Sequence, residues 1–550
     1  MRKPGQSPAG YLCLVLHSHL PYVRHPEHDD FLEEDWLFEA ITETYIPILR
    51  ACERMDRDGV RYRLTIGVTP PLAAMLGDEL LIFRYRRHLA NLRALVAKEV
   101  AGHPTDTPIG NLARFYSRFL AETEAYFEDE WHGDLLAAFK NAMERGSVEL
   151  ITCTATHGFL PLMSTDAARR AQIRVGVEAF RRVFGRAPRG IWLGECAYQP
   201  GVDELLAEQG LEYFFVDAHG IEYGEPSPVF GVFAPVQTPA GAHAFARDSH
   251  SSRQVWSSRE GYPGDPIYRE FYRDLGFDAE YGYVRPHLHS DGVRRNTGLK
   301  YYSVTGNVEL HEKAYYDPEA AIERAAVHAS HFLFHRQAQA RELAPGMDRP
   351  PCIVAPYDAE LFGHWWFEGP MFLEFLFRKA AFDQDEIELI TPTDYLARHP
   401  EVQLQQPSAS TWGAEGFNRV WLNDKNADLY RHQHRTERRM VRLAERFPDA
   451  EGPVKEALDQ AARELLLLQS SDWAFIVTTE TSVPYAVRRL REHLQRFHLL
   501  AAAIEEDRVD LEQVRAMRER DAIFPWLDYR VYRPEGPPVL SPQENGDCHA

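Results

Sequence analysis

Residues 11–19 read YLCLVLHSH. Six apolar residues run unbroken into His17, Ser18 and His19, the pattern of a strand buried on both faces whose polar residues gather at its C-terminal end. Six further runs share the design: YRLTIGVTP (62–70), VELITCTATHG (148–158), GIWLGEC (190–196), YFFVDAHG (213–220), QVWSS (254–258) and CIVAPYD (352–358). Helix-like sequence follows each, so the seven read as parallel strands of an α/β barrel whose C-terminal tips share one site.

The spacing of the runs places the insertions. About 71–147 is helical (LIFRYRRHLANLRALVAKEV, FYSRFLAETEAYFEDEW), and about 262–320 is an irregular excursion rich in Tyr, Gly, Pro and Asp. After about residue 400 the strand signal stops. Apolar residues then recur three and four apart, as in Val487, Leu490, Leu494, Phe497, Ala501 and Ile504, which predicts a C-terminal all-α domain. The expected organisation is a catalytic barrel over 1–400, a helical domain over 401–533 that completes the site, and a frayed Pro-rich tail over 534–550.

A chain of 550 residues exceeds what one core ordinarily supports, which fits this division. The 61 basic and 82 acidic residues leave a net charge of −21, which repels phosphate backbones and anionic lipid, so neither a nucleic acid nor a membrane is an expected partner. No stretch approaches the ~20 apolar residues of a membrane span. Six cysteines lie scattered without a CxxC pair, as expected of reduced thiols in a cytoplasmic protein.

Several residues could carry chemistry. His17 and His19 are two apart on a strand and face the same side; with His219 they could ligate zinc, as in amidohydrolases and deacetylases, or they could bind sugar hydroxyls. His157 and His219, beyond the third and fifth runs, approach the same mouth. Glu195 and Asp358 end apolar runs, and two carboxylates at one barrel mouth are the minimum apparatus of a glycosidase. Taken alone, Asp358 could equally cap a helix. Trp36, Trp256, Trp412, Trp421 and Trp473 sit beside polar or turn residues, where an indole face can stack on a pyranose ring.

Five separated segments carry a resemblance over nearly the whole chain. They are His17-Ser18-His19-Leu20-Pro21-Tyr22, Thr154-Ala155-Thr156-His157-Gly158, Trp192-Leu193-Gly194-Glu195, the run from Ala355 to Trp366 (APYDAELFGHWW), and Ser470-Ser471-Asp472-Trp473. In these the chain resembles glycoside hydrolase family 57, within it the α-1,4-glucan branching enzymes and their α-amylase-like relatives. The resemblance implies a (β/α)7 barrel with a C-terminal helical domain and a retaining mechanism needing no metal or cofactor. It also implies Glu195 as nucleophile, Asp358 as acid/base, and α-1,4-glucan (amylose, glycogen or starch-like) as substrate. Trp36, Trp256, Trp412 and Trp421 match its groove aromatics, and Arg247, Asp472 and Trp473 join the histidines as substrate-binding residues.

The chain departs from the family pattern at Gly194, where Pro is common, and at 238–248, which reads as a shortened loop without the Tyr that excludes water. The expected activity is therefore branching with some hydrolysis, and the alternatives are an α-amylase, a zinc amidohydrolase or deacetylase, and a silent glucan-binding protein.

Overall fold

The computed structural model describes residues 7–257 and 260–533. Its centre is a curled parallel sheet of seven strands: β1 (Gly10–Ser18), β2 (Leu64–Val68), β3 (Val148–Cys153), β4 (Gly190–Trp192), β5 (Tyr213–Val216), β6 (His243–Ala246) and β7 (Cys352–Asp358). The order around the sheet is β6-β5-β4-β3-β2-β1-β7. Across the remaining gap, the Asp248 N–H beyond β6 donates to Val354 O in β7 at 2.8 Å.

Alternation along each strand divides two cores. On β1, Tyr11, Cys13 and Val15 join Ile151, Phe215, Phe245 and Val354 in a cluster inside the barrel, while Leu12, Leu14 and Leu16 join the cluster shared with the surrounding helices. Being buried on both sides is why these strands are continuously apolar.

Six of the seven predicted runs are barrel strands. The exception is 254–258: Ser249–Trp256 is a helix capped by Asp248, whose carboxylate accepts from the Ser251 N–H. The sixth strand is instead His243–Ala246, inside the segment read as a shortened loop. Residues 238–242 form a tight turn, with the Thr238 N–H donating to Ala242 O at 2.7 Å, that joins Val236–Gln237 antiparallel to β6. Since β6 runs parallel to β5, this turn lies at the N-terminal end of the barrel, away from the strand tips that end in His17 and Asp358. The chain that leaves β5 over the mouth is 217–235, and Tyr223 stands in it 67% exposed.

A further short strand, Ile387–Leu389, pairs with Gly10–Leu12 beside the start of β1. The first insertion holds the helices Glu79–Gly102, Pro108–Glu124 and Leu135–Glu144, and a long helix, Pro318–Leu343, precedes β7. Among the described residues beyond 426 there are five α-helices, of which Gly452–Leu468 packs along Val483–Glu505. The tail expected to fray lies outside the described residues. The five described cysteines are buried free thiols. Among the described residues no helix is long and apolar enough to cross a membrane.

Candidate active site

The parity that points Tyr11, Cys13 and Val15 into the barrel carries on to His17, and that of Cys352 and Val354 carries on to Asp358. The two are direct register partners at the tips of β1 and β7. His17 stacks over the buried Trp192 of β4, ring centroids 4.9 Å apart, so the barrel core continues without a break into the site floor.

Glu195 follows β4 on a sharp turn. The Cys196 N–H donates to Leu193 O at 2.8 Å, and Glu195 itself has φ 60° and ψ 24°. A side chain in the left-handed region costs about 1–3 kcal/mol and persists only where the surroundings enforce it. Gly194 is part of that enforcement, because a Cβ there would lie 2.9 Å from the carbonyl oxygens of His157 and Gly158. The departure at Gly194 thus lets the β3 and β4 tips meet.

Both oxygens of Glu195 are held from the C-terminal part of the chain. Trp412 Nε1 donates to Oε2 at 3.0 Å, and Ser471 Oγ donates to Oε1 at 2.9 Å. Ser471 Oγ is also 2.7 Å from His157 Nδ1, and His157 Nε2 is 2.9 Å from His17 Nε2. His19 stacks on His157 at 3.8 Å between centroids and pairs through Nε2 with Asp472 at 3.1 Å. Its backbone N–H donates to Glu360 Oε1 at 3.0 Å, which also accepts from Tyr45 OH at 2.6 Å. Tyr45 ends a π-helical turn, Ile41–Tyr45, a local irregularity that re-aims side chains next to functional sites.

Burial decides the charge pattern. It pushes the Asp358 carboxyl well above the usual range, with the charges of Glu360 and Glu195 adding to it and Arg247 opposing. Glu195 is also raised by burial, but the bonds from Trp412 and Ser471 favour its ionised form. Asp358 is thus the carboxyl pushed further toward its neutral form, and Glu195 the one whose charge is supported by hydrogen bonds. Burial lifts Glu360 to about 6. Burial alone would raise Asp472, but the pairing with His19 outweighs it and holds that carboxyl down to about 2. His19 is raised by Asp472 against its burial, whereas burial and neighbouring imidazoles hold His17 and His157 neutral.

The other predicted residues scatter. His219 is brought to the mouth but not to the histidine cluster, since Asp217 Oδ1 at 3.3 Å and Gly416 O at 2.5 Å hold it. His219 is therefore not the ligand that the zinc reading named beside His17 and His19, although His157 and Asp472 lie close enough to His19 for the three to hold an ion. Arg247 pairs with Asp217. Trp36 is half-buried edge-on to Tyr485, and Trp256 ends its helix 36% exposed. Trp421, expected to be exposed, is buried against Phe159 and supports the loop that carries Trp412. Trp473 is buried too, its Nε1 donating to Leu467 O at 2.8 Å.

Sequence reasoning assigned no role to Ser471, Glu360 or Tyr45. Ser471 and Glu360 sit inside quoted segments beside assigned residues, so adjacency was an available signal. Tyr45 lies in a helical stretch and offered none.

A family model described as glycosyl hydrolase family 57 matches residues 13–408, and one described as the C-terminal part of 1,4-alpha-glucan branching enzyme matches 432–532. The chain belongs to glycosyl hydrolase family 57. It is 34% identical to a 1,4-alpha-glucan branching enzyme of Thermococcus kodakarensis, over 96% of this chain and 80% of that protein. Among solved structures, the α-amylase AmyC of Thermotoga maritima is similar at a TM-score of 0.89 and 44% identity, covering 96% of this chain and 99% of that one. The family 57 branching enzyme of Pyrococcus horikoshii is similar at 0.85 and 33%, covering 97% and 99%. The likeness to both solved structures extends over the barrel and the helical C-terminal region together.

Proposed function

We propose that this family 57 enzyme is a retaining α-1,4-glucan branching enzyme in which Glu195 is the nucleophile and Asp358 the acid/base. The observation that carries the reading is the origin of the groups on Glu195. Trp412 and Ser471 both come from beyond the barrel, and Ser471 lies in the region matched to the branching-enzyme C-terminal part.

The chemistry follows from the charge pattern. Ionised Glu195 attacks the anomeric carbon while neutral Asp358 gives its proton to the leaving glycosidic oxygen. A covalent glycosyl-enzyme results, and the released chain leaves with a free 4-hydroxyl. Asp358, now ionised, then takes the proton of an incoming 6-hydroxyl as that oxygen displaces Glu195. The product is an α-1,6 branch, and both carboxyls return to their starting states. His17, His157 and the His19–Asp472 pair border the same face; most of their ring nitrogens are engaged with one another, Ser471 and Thr69, so their part in this reading is to form the floor beneath the sugar.

The likeness to AmyC, which is described as an α-amylase, favours a second reading in which water replaces the 6-hydroxyl. The shortened-loop argument for hydrolysis no longer stands, because residues 238–242 turn at the opposite end of the barrel. Incubation with amylose decides between the two. Branching releases new short chains on isoamylase treatment with few new reducing ends; reducing ends that climb with no such chains would establish the amylase.

A further inference from the structure

A second group of histidines lies outside the active site, on the flank where helix Pro318–Leu343 meets the Tyr262–Gly264 turn. His331 and His335 are four apart, so they share one helix face. His331 is exposed and His335 half-buried. Their Nε2 atoms lie 3.1 Å apart. Two imidazole nitrogens bound to one tetrahedral zinc ion at the usual bond length are separated by about 3.3 Å. The other nitrogen of His331, Nδ1, is 2.8 Å from Tyr262 OH. A hydrogen bond of that kind orients a ligating imidazole and leaves its Nε2 lone pair facing outward.

We propose that His331 and His335 form a surface site for a borderline divalent ion of the zinc class, with Tyr262 orienting one of the two ligands. Both imidazoles bind as neutral Nε2 donors, and the proton now shared between the two Nε2 atoms moves to the Nδ1 of its own ring. Water completes the coordination. Arg336 and His250 flank the pair. The charge of Arg336 is offset by Asp248 at 3.4 Å. His250 is not part of the site, because its Nδ1 already accepts from Arg336 at 2.6 Å. Through Tyr262, an occupied site would fix the turn that follows the helix ending in Trp256.

The test is calorimetric titration of chelator-treated protein with zinc chloride. His331→Gln and His335→Gln are each expected to weaken one binding event at least tenfold, while His250→Gln leaves it unchanged. Unaltered isotherms in both variants would overturn the proposal. A mutation-free measurement stands beside it: zinc should protect His331 and His335 of the native protein from diethyl pyrocarbonate, read residue by residue in mass spectra. Equal modification with and without zinc would also overturn it.

Discussion

At the residue scale the site turns on holding one carboxylate charged and the other neutral. Ser471→Ala removes a hydrogen bond to the charged Glu195, worth about 1.5–3 kcal/mol, so kcat on amylose should fall ~10–100-fold with an unchanged fold. Asp358 predicts a conflict between function and stability. Its folded pKa is raised, so the stability it contributes is present below the unfolded value of about 3.9 and is lost as pH rises through the folded value. Asp358→Asn should therefore melt higher than the wild type at pH 7 while losing activity, and the difference in Tm should vanish near pH 3. Glu360 adds to the upward push on Asp358. Glu360→Gln should shift the basic limb of the kcat profile toward lower pH; an unmoved limb would mean that Glu360 serves only to anchor His19 and Tyr45.

At the scale of elements, the strand tips set the precision. Gly194→Ala should displace the Glu195 turn from the His157 and Gly158 carbonyls and cut kcat on the order of 10²-fold, the scale of a 1 Å misplacement. Kinetics on amylose with melting curves would separate this from general destabilisation. The same scale explains what the sequence disclosed. Strands such as 11–19 and 352–358 were legible because burial on both faces demands an uninterrupted apolar run, and their parity alone aims His17 and Asp358 inward. The sixth strand was not, because His243–Ala246 is four residues of small and mixed character, while QVWSS nearby mimics a strand with the apolar face of a helix. Trp421 and Trp473 misled for a related reason. Polar neighbours in sequence say nothing about which side of a loop or helix an indole occupies.

At the scale of the molecule, barrel and helical region are one catalytic unit. Glu195, the proposed nucleophile, is held by groups at 412 and 471, with His19 meeting Asp472 across 453 positions. A protein ending at residue 408 should hydrolyse and branch nothing even where it remains soluble, an outcome read directly by reducing-end and isoamylase assays on amylose. This arrangement also governs when, during synthesis, the site can first assemble. Glu195 and Ser471 are 276 positions apart, so at about 5–20 residues per second the ribosome needs roughly 14–55 s to deliver the second after the first. Throughout that interval the emerging barrel lacks a group that holds Glu195 in place. An interrupted translation product therefore carries Glu195 without the partners that fix it.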